Sequence, residues 1–416
     1  MASNTTVRTG KRQTDFTDLS LVVVTGLAFS LTCMFLGVAL LGHLDSSRDY
    51  VVFWATGQQM AHHANPYDTA NLKQIEHAVG LNPGYSVMYM RNLPFALPLV
   101  LPLGYVSVRV GALLWTLLLV SCLAGSVWIL RRMYGSPPNY FHWLGLSFAP
   151  AMICIFTGQT SIFSLLGLVL FLRFHLTRPF AAGMALWLCI LKPHLFLPFG
   201  LVLLVWIVLN NAYKIILGAV FAVAVSCGLT WLINPVAWKQ YSVMMRTGGV
   251  ATDYIPCFSV FLRLKLSPNT LWLPYVPSVI ACIWALAYFW PRRNSWDWTR
   301  NGNLLVLVSM LSAPYIWIYD QCLAIPALLD GAYRARSRHL ITVISLLSLP
   351  IVIGLMCKIR ITSPLYLWTI PAWLIWYLFA CRSANQPPAV EPGIDHVMPL
   401  ESAPAGDAGA LGVEPL

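Results

Sequence analysis

DSSRDYVVFWATGQQMAHHANPYD, residues Asp45 to Asp68, follows the first long apolar run of the chain. It begins where the backbone is predicted to leave a membrane. Asp49 comes just past that exit, Tyr50, Phe53 and Trp54 stand close behind it, and the stretch ends in an Asn-Pro-Tyr-Asp turn at 65–68. The chain has only 15 Asp and Glu in 416 residues, yet three of them, Asp45, Asp49 and Asp68, fall here. That concentration marks the stretch as the element around which the remainder is organised.

Outward from it, apolar runs dominate. The chain is 58% hydrophobic and 10% charged, whereas a soluble domain carries about 25% charge. Runs of this length cross about 30 Å of hydrocarbon as helices, the form that satisfies every backbone polar group where water is absent. A membrane β-barrel would show short alternating segments instead. The fold class is therefore all-α, a polytopic integral membrane protein of about 10–12 transmembrane helices with a long first extracytoplasmic loop. The net charge of +11 does not point to nucleic acid, because the basic residues sit in short loops between apolar runs, as topology signals do. Most of the ten cysteines lie inside apolar runs, where they act as small packing residues. Cys257 and Cys357 are the pair whose positions allow both to face outward.

Arg8, Lys11 and Arg12 predict a cytoplasmic segment over 1–18, followed by a retained first span at 19–42. A membrane domain over 19–381 follows, then a disordered cytoplasmic tail over 382–416, rich in Pro, Ala and Gly. Residues 43–92 read as an outer loop with short helices on the bilayer surface. Residues 92–106 are apolar but broken by Pro94, Pro98 and Pro102, hence re-entrant or surface-lying. Further spans are predicted near 108–130, 141–156, 160–175, 179–191, 195–209, 213–233, 271–290, 302–314, 319–333, 339–356 and 364–381. Basic turns at Arg131/Arg132, Arg173/Arg178, Lys214, Arg292/Arg293/Arg300, Arg334/Arg336/Arg338 and Arg382 alternate with them, which places both termini in the cytoplasm of a cell membrane. On that topology Asp45, Asp49, Asp68, Glu76, Asp253 and Asp320 gather at the outer side.

Four further stretches break the apolar pattern at that edge: Arg91-Asn92, Gly158-Gln159, Lys192 with His194, and Tyr319-Asp320. An ionised side chain at such depth costs about 2.5–3.5 kcal/mol, so it has a partner, a water-filled cavity or a role. Structural alternatives stand beside each. Lys192 snorkels to headgroups, Asp320 pairs with a neighbouring Lys or Arg, Gln159 caps a helix turn, and His194 is interfacial. Together the set describes an outward cavity with carboxylates, cations and aromatic faces. A sugar on a lipid phosphate suits it. The phosphate leaving group needs cations and the acceptor hydroxyl needs one carboxylate base.

The ordered motifs resemble glycosyltransferase family 87 (GT87, also DUF2029), polyprenyl-phosphate-sugar-dependent enzymes whose best-known member builds phosphatidylinositol mannosides. The motifs are D-Y-x-x-F-W-A-x-G from Asp49 with P-Y-D at 66–68, Tyr89 to Pro94, and A-x-x-W at 112–115. T-G-Q-T-S at 157–161, A-G-M-A-L with L-K-P over 182–193, and S-A-P-Y-x-W-x-Y-D at 312–320 complete the series. The family's usual Y-P-P reads R-N-L-P at 91–94, and its usual Asn beside the Gly-Gln turn is replaced by Thr and Ser. The resemblance implies a GT-C fold and extracytoplasmic transfer of a mannose-like hexose or a pentose, with inversion, no metal and no cofactor. The partners it implies are a polyprenyl-phosphate sugar donor, a lipid or glycan acceptor, and the bilayer. It assigns the base to Asp49. The reading of the pocket then gives donor phosphate binding to Lys192 and Arg91, and lines the sugar and acceptor pocket with Gln159, Tyr319, Asp320, Trp54, Tyr67 and His194. A lipid-sugar flippase is the rival class, since transporters also place charges and broken helices in the membrane. A non-catalytic scaffold leaves Lys192 and Asp320 unexplained.

Overall fold

Long apolar runs punctuated by Pro and basic turns dictate helices separated by sharp breaks, and the computed structural model has that form. It describes residues 48–82, 87–247, 254–335 and 338–385, and among these no strand occurs. The expected segment 1–18, the span at 19–42, Asp45, Asp253 and the tail from 386 lie outside the described residues.

The helices are α1 (Arg48–Ala61), α2 (Thr69–Ala78), α3 (Val108–Met133), α4 (Ala149–Thr157), α5 (Ser161–Phe174), α6 (Pro179–Ile190), α7 (Leu197–Leu209) and α8 (Tyr213–Ile233). They continue with α9 (Ala237–Thr247), α10 (Phe258–Leu266), α11 (Val276–Phe289), α12 (Trp298–Ser312), α13 (Ile325–Arg334), α14 (Arg338–Leu347), α15 (Leu349–Met356) and α16 (Thr369–Asn385). Among the described residues five segments are long and apolar enough to cross a membrane: Val108–Met133, Tyr213–Ile233, Leu273–Ser295, His339–Met356 and Pro364–Arg382. Their outward faces carry rows of exposed aliphatics, such as Leu113, Leu117 and Leu118 on α3 or Val279, Ile280 and Ile283 on α11. Faces of that kind are stable against lipid and not against water. Shorter apolar helices at Pro94–Tyr105, Trp143–Thr157, Ser161–Phe174, Pro179–Ile190 and Pro193–Leu209 fill the interior between them. The protein is an all-helical, polytopic membrane protein.

Three of the sequence-based expectations are refined. α1 is packed into the protein core. Tyr50 to Ala55 are all buried, and α1 packs on the broken stretch 94–105 where Gly57 and Gly104 meet backbone to backbone, leaving no room for a Cβ on either. Tyr50 and Trp54, one turn apart, then donate to the carbonyls of Val108 (2.8 Å) and Val106 (3.0 Å) and pin α1 to the start of α3. Residues 94–105, in turn, are packed into the core as well. Phe95, Ala96, Leu97 and Val100 are buried, and the carbonyls that the prolines free from helical pairing are taken up by α8, with Ser226 bonded to the Phe95 carbonyl and Thr230 to that of Pro94 at 3.0 Å. The predicted span 319–333 is likewise two pieces, a 3-10 turn at Ile318–Ala324 and α13, buried along almost its whole length.

Candidate functional site

The T-G-Q-T-S turn is the first piece of the site. α4 ends at Gly158, whose φ of +76° is the left-handed conformation that lets a helix close its last carbonyls. The absence of a side chain there has a second use. A Cβ on Gly158 would sit 2.5 Å from the Cβ of Tyr50, so the turn lies directly on the residue that follows Asp49. Trp115 clamps it by donating to the Gly158 carbonyl at 2.8 Å.

Lys192 reaches the same place from α6. Pro193 disfavours helical backbone in the residue before it; Lys192 accordingly takes φ −136°, and the chain breaks between α6 and α7. The freed Leu191 carbonyl accepts from the Asn92 amide at 2.8 Å, tying the Arg91–Asn92 segment to the Lys192 break. The Lys192 ammonium lies 2.6 Å from Asp320 Oδ1, 2.9 Å from Ser161 Oγ and 3.1 Å from Gln159 Oε1, and 5.0 Å from the centre of the Tyr319 ring. All three of its N–H donors are thereby engaged. Asp320 is held as fully. Its Oδ1 also accepts from Ser161, and its Oδ2 accepts the Trp317 backbone N–H at 2.9 Å.

Asp49 stands in the first turn of α1, half-buried, where the helix dipole favours a carboxylate. Its charge and that of Asp320 both bear on the Tyr319 hydroxyl. Above this floor lies a rim. His194 stacks on Tyr315 with ring centres 3.9 Å apart and feels both Lys192 and Asp320. The charge of exposed Arg91 acts on Tyr315, and its carbonyl accepts from Tyr241 of α9 at 3.2 Å. Tyr241 packs edge-on against Tyr67 at 5.6 Å. The Tyr67 hydroxyl and His194 Nε2 are both closed off from solvent without a hydrogen-bond partner. Burial raises the Tyr67 phenol well above its ordinary range, so that hydroxyl stays protonated and can donate.

The structure thus brings Asp49, Gln159, Lys192, Tyr319, Asp320 and His194 together, with Arg91 and Tyr67 on the rim. Trp54 stands apart, its indole turned to Val106 and its ring against Gly111; it fixes α1 and does not wall the cluster. Asp320, 1% exposed and with both oxygens engaged, supports Lys192. Ser161 and Tyr315 belong to the cluster although they were not singled out beforehand; both lie inside quoted motifs, and only the distances distinguish them from their neighbours. Tyr241 had no motif to signal it. Cys257 is buried and Cys357 exposed, and both are unpaired. Among the described residues no three His, Cys, Asp or Glu side chains converge as a metal ion would need.

Comparison with known proteins gives one match. The family described as Glycosyltransferase family 87 matches residues 89–314, just over half of the chain and a span that contains Arg91, Gln159, Lys192, His194 and Tyr241. No curated protein and no solved structure matches. The chain belongs to glycosyltransferase family 87 and is a membrane glycosyltransferase.

Proposed function

We propose that this family 87 chain transfers a mannose-like hexose or a pentose from a polyprenyl-phosphate donor to a lipid or glycan acceptor at the extracytoplasmic face, with inversion. The observation that carries the reading is the meeting of Asp49, from the stretch behind the first span, with the Lys192–Asp320 pair around Tyr319. One base and one cationic site, side by side, are what a direct displacement on a glycosyl phosphate requires.

In this account the acceptor hydroxyl attacks the anomeric carbon as Asp49 takes its proton. The bond between that carbon and the phosphate oxygen breaks, and its electron pair leaves on the polyprenyl phosphate. A second negative charge develops on that phosphate, so cations placed there stabilise the transition state more than the ground state. Arg91 supplies an exposed guanidinium suited to bidentate phosphate contact. Lys192 joins it by exchanging its longest bond, the 3.1 Å contact to the neutral Gln159 carbonyl, for a phosphate oxygen. Gln159 is then free to turn towards the sugar. Asp320 and Ser161 hold the ammonium in place throughout. His194 and Tyr67, each with an unpartnered polar atom, offer hydrogen bonds to sugar hydroxyls.

The test is to offer the purified protein in proteoliposomes a panel of radiolabelled polyprenyl-phosphate sugars with a membrane lipid extract. Consumption of one donor with label appearing in a new lipid or glycan product supports the reading. Movement of the intact lipid-sugar between leaflets with no transfer overturns it in favour of a flippase.

A further inference from the structure

The far end of α3 carries a second set of unexplained polar groups. Arg131 lies sixteen residues beyond Trp115, about 24 Å along the helix at 1.5 Å per residue, well removed from the Lys192 cluster. Three polar atoms there are closed off from solvent with no hydrogen-bond partner: Arg131 Nε on α3, His142 Nδ1 in the following loop, and the Tyr333 hydroxyl on α13. They occupy one neighbourhood. The Tyr333 ring packs against Tyr134 at 5.3 Å and Phe141 at 6.4 Å; Tyr134 lies three residues after Arg131 and Phe141 immediately before His142. The Arg131 charge bears on both His142 and Tyr333.

More than about 90% of buried polar groups are paired, and an unpaired one costs about 1–3 kcal/mol. Three in one neighbourhood, contributed by separate elements, point to a ligand's seat. The nearby acid does not answer them. Asp330 is taken by Arg334 Nε at 2.7 Å and by the Tyr377 hydroxyl at 2.8 Å, which leaves the local charge to Arg131. Arg131 Nε and the Tyr333 hydroxyl are donors; the His142 ring, which also meets the Asn139 backbone carbonyl, adds a third polar atom. Unpartnered donors beside a guanidinium fit a negatively charged acceptor, and phosphate matches that fork best.

We propose that Arg131, His142 and Tyr333 form a second binding site, separate from the transfer site, that takes a phosphate group. The source is either the headgroup of an anionic phospholipid or a water-soluble phosphate ester. The flanking exposed aromatics Trp128, Tyr140 and Trp143 form an interfacial girdle and favour the lipid.

The full-length protein is stripped of lipid in detergent and re-exposed to phosphatidylglycerol or to phosphatidylcholine, and bound lipid is counted by native mass spectrometry. Inorganic phosphate is tested in parallel by its shift of the unfolding midpoint. The variants are Arg131→Gln and Tyr333→Phe, the latter removing a single oxygen from a folded core. Arg293→Gln, an exposed arginine bonded to the Trp290 carbonyl, is the comparison. Retention of phosphatidylglycerol over phosphatidylcholine, reduced at least tenfold in both site variants and unchanged in Arg293→Gln, supports the site with a lipid occupant. Stabilisation by phosphate alone, lost in the same two variants, supports it with a soluble occupant. Absence of both effects, or equal retention across all three variants, overturns it.

Discussion

The ammonium of Lys192 lies 2.6 Å from Oδ1 of Asp320, joining residues 128 positions apart in a largely buried pair. The side chains are 12% and 1% exposed. A buried ion pair contributes little net stability, but removing one partner leaves an uncompensated charge and costs about 3–5 kcal/mol. Asp320→Ala and Lys192→Met should each lower the unfolding midpoint in detergent by that measure. The double variant Lys192→Met/Asp320→Leu should regain most of the stability and none of the transfer activity. Recovery of activity in the double variant would reduce the pair to a packing device.

Gly158 and Gly80 offer a controlled comparison. Both have positive φ, but a Cβ on Gly80 meets nothing within 4 Å, whereas one on Gly158 meets Tyr50. Gly80→Ala should cost only the left-handed strain, about 1–2 kcal/mol. Gly158→Ala should in addition push Tyr50, and with it Asp49, out of position. A displacement near 1 Å reduces rate by about a hundredfold, so kcat should fall much further than KM rises. Equal effects of the two substitutions on kcat would separate Gly158 from the placement of Asp49.

Tyr67→Phe removes a hydroxyl that has no partner. Stability should be unchanged or slightly higher, since an unsatisfied buried group is lost. Donor or acceptor KM should rise several-fold if that hydroxyl meets the sugar. Unchanged steady-state kinetics for both substrates would remove it from the pocket.

Arg91→Ala should raise the donor KM about tenfold, equivalent to about 1.4 kcal/mol, and Arg91→Lys should recover part of that through charge without the planar fork. The measurement is the donor dependence of initial rates. A donor KM insensitive to either change would take Arg91 off the phosphate.

Much of this architecture is legible in the sequence wherever apolar length alone decides. The predicted spans at 108–130 and 213–233 end within a few residues of α3 and α8, because Pro, Gly and Arg pairs fix helix ends locally. α1 was not legible as a core helix. Thr56, Gln58 and Gln59 give it the polarity of a surface helix, and its burial depends on the Gly57–Gly104 approach, which involves residues far apart in the chain. The candidate site was legible as a set of exceptions to the apolar pattern, and most of those exceptions do converge. Their roles were less so. That Asp320 supports Lys192, that Trp54 serves α1, and that Tyr241 reaches Arg91 all follow from tertiary pairing, which leaves no local trace.

The account rests most heavily on Asp49 as the base, and the direct measurement is transfer by Asp49→Asn in proteoliposomes beside the wild type. Donor binding and insertion are measured on the same samples. The substitution keeps size and hydrogen bonding while removing the proton acceptor. It should therefore reduce transfer by about 10²–10⁴-fold, with donor affinity and insertion unchanged. Transfer within tenfold of the wild type would contradict the account and move the search for the base to another group around Tyr319.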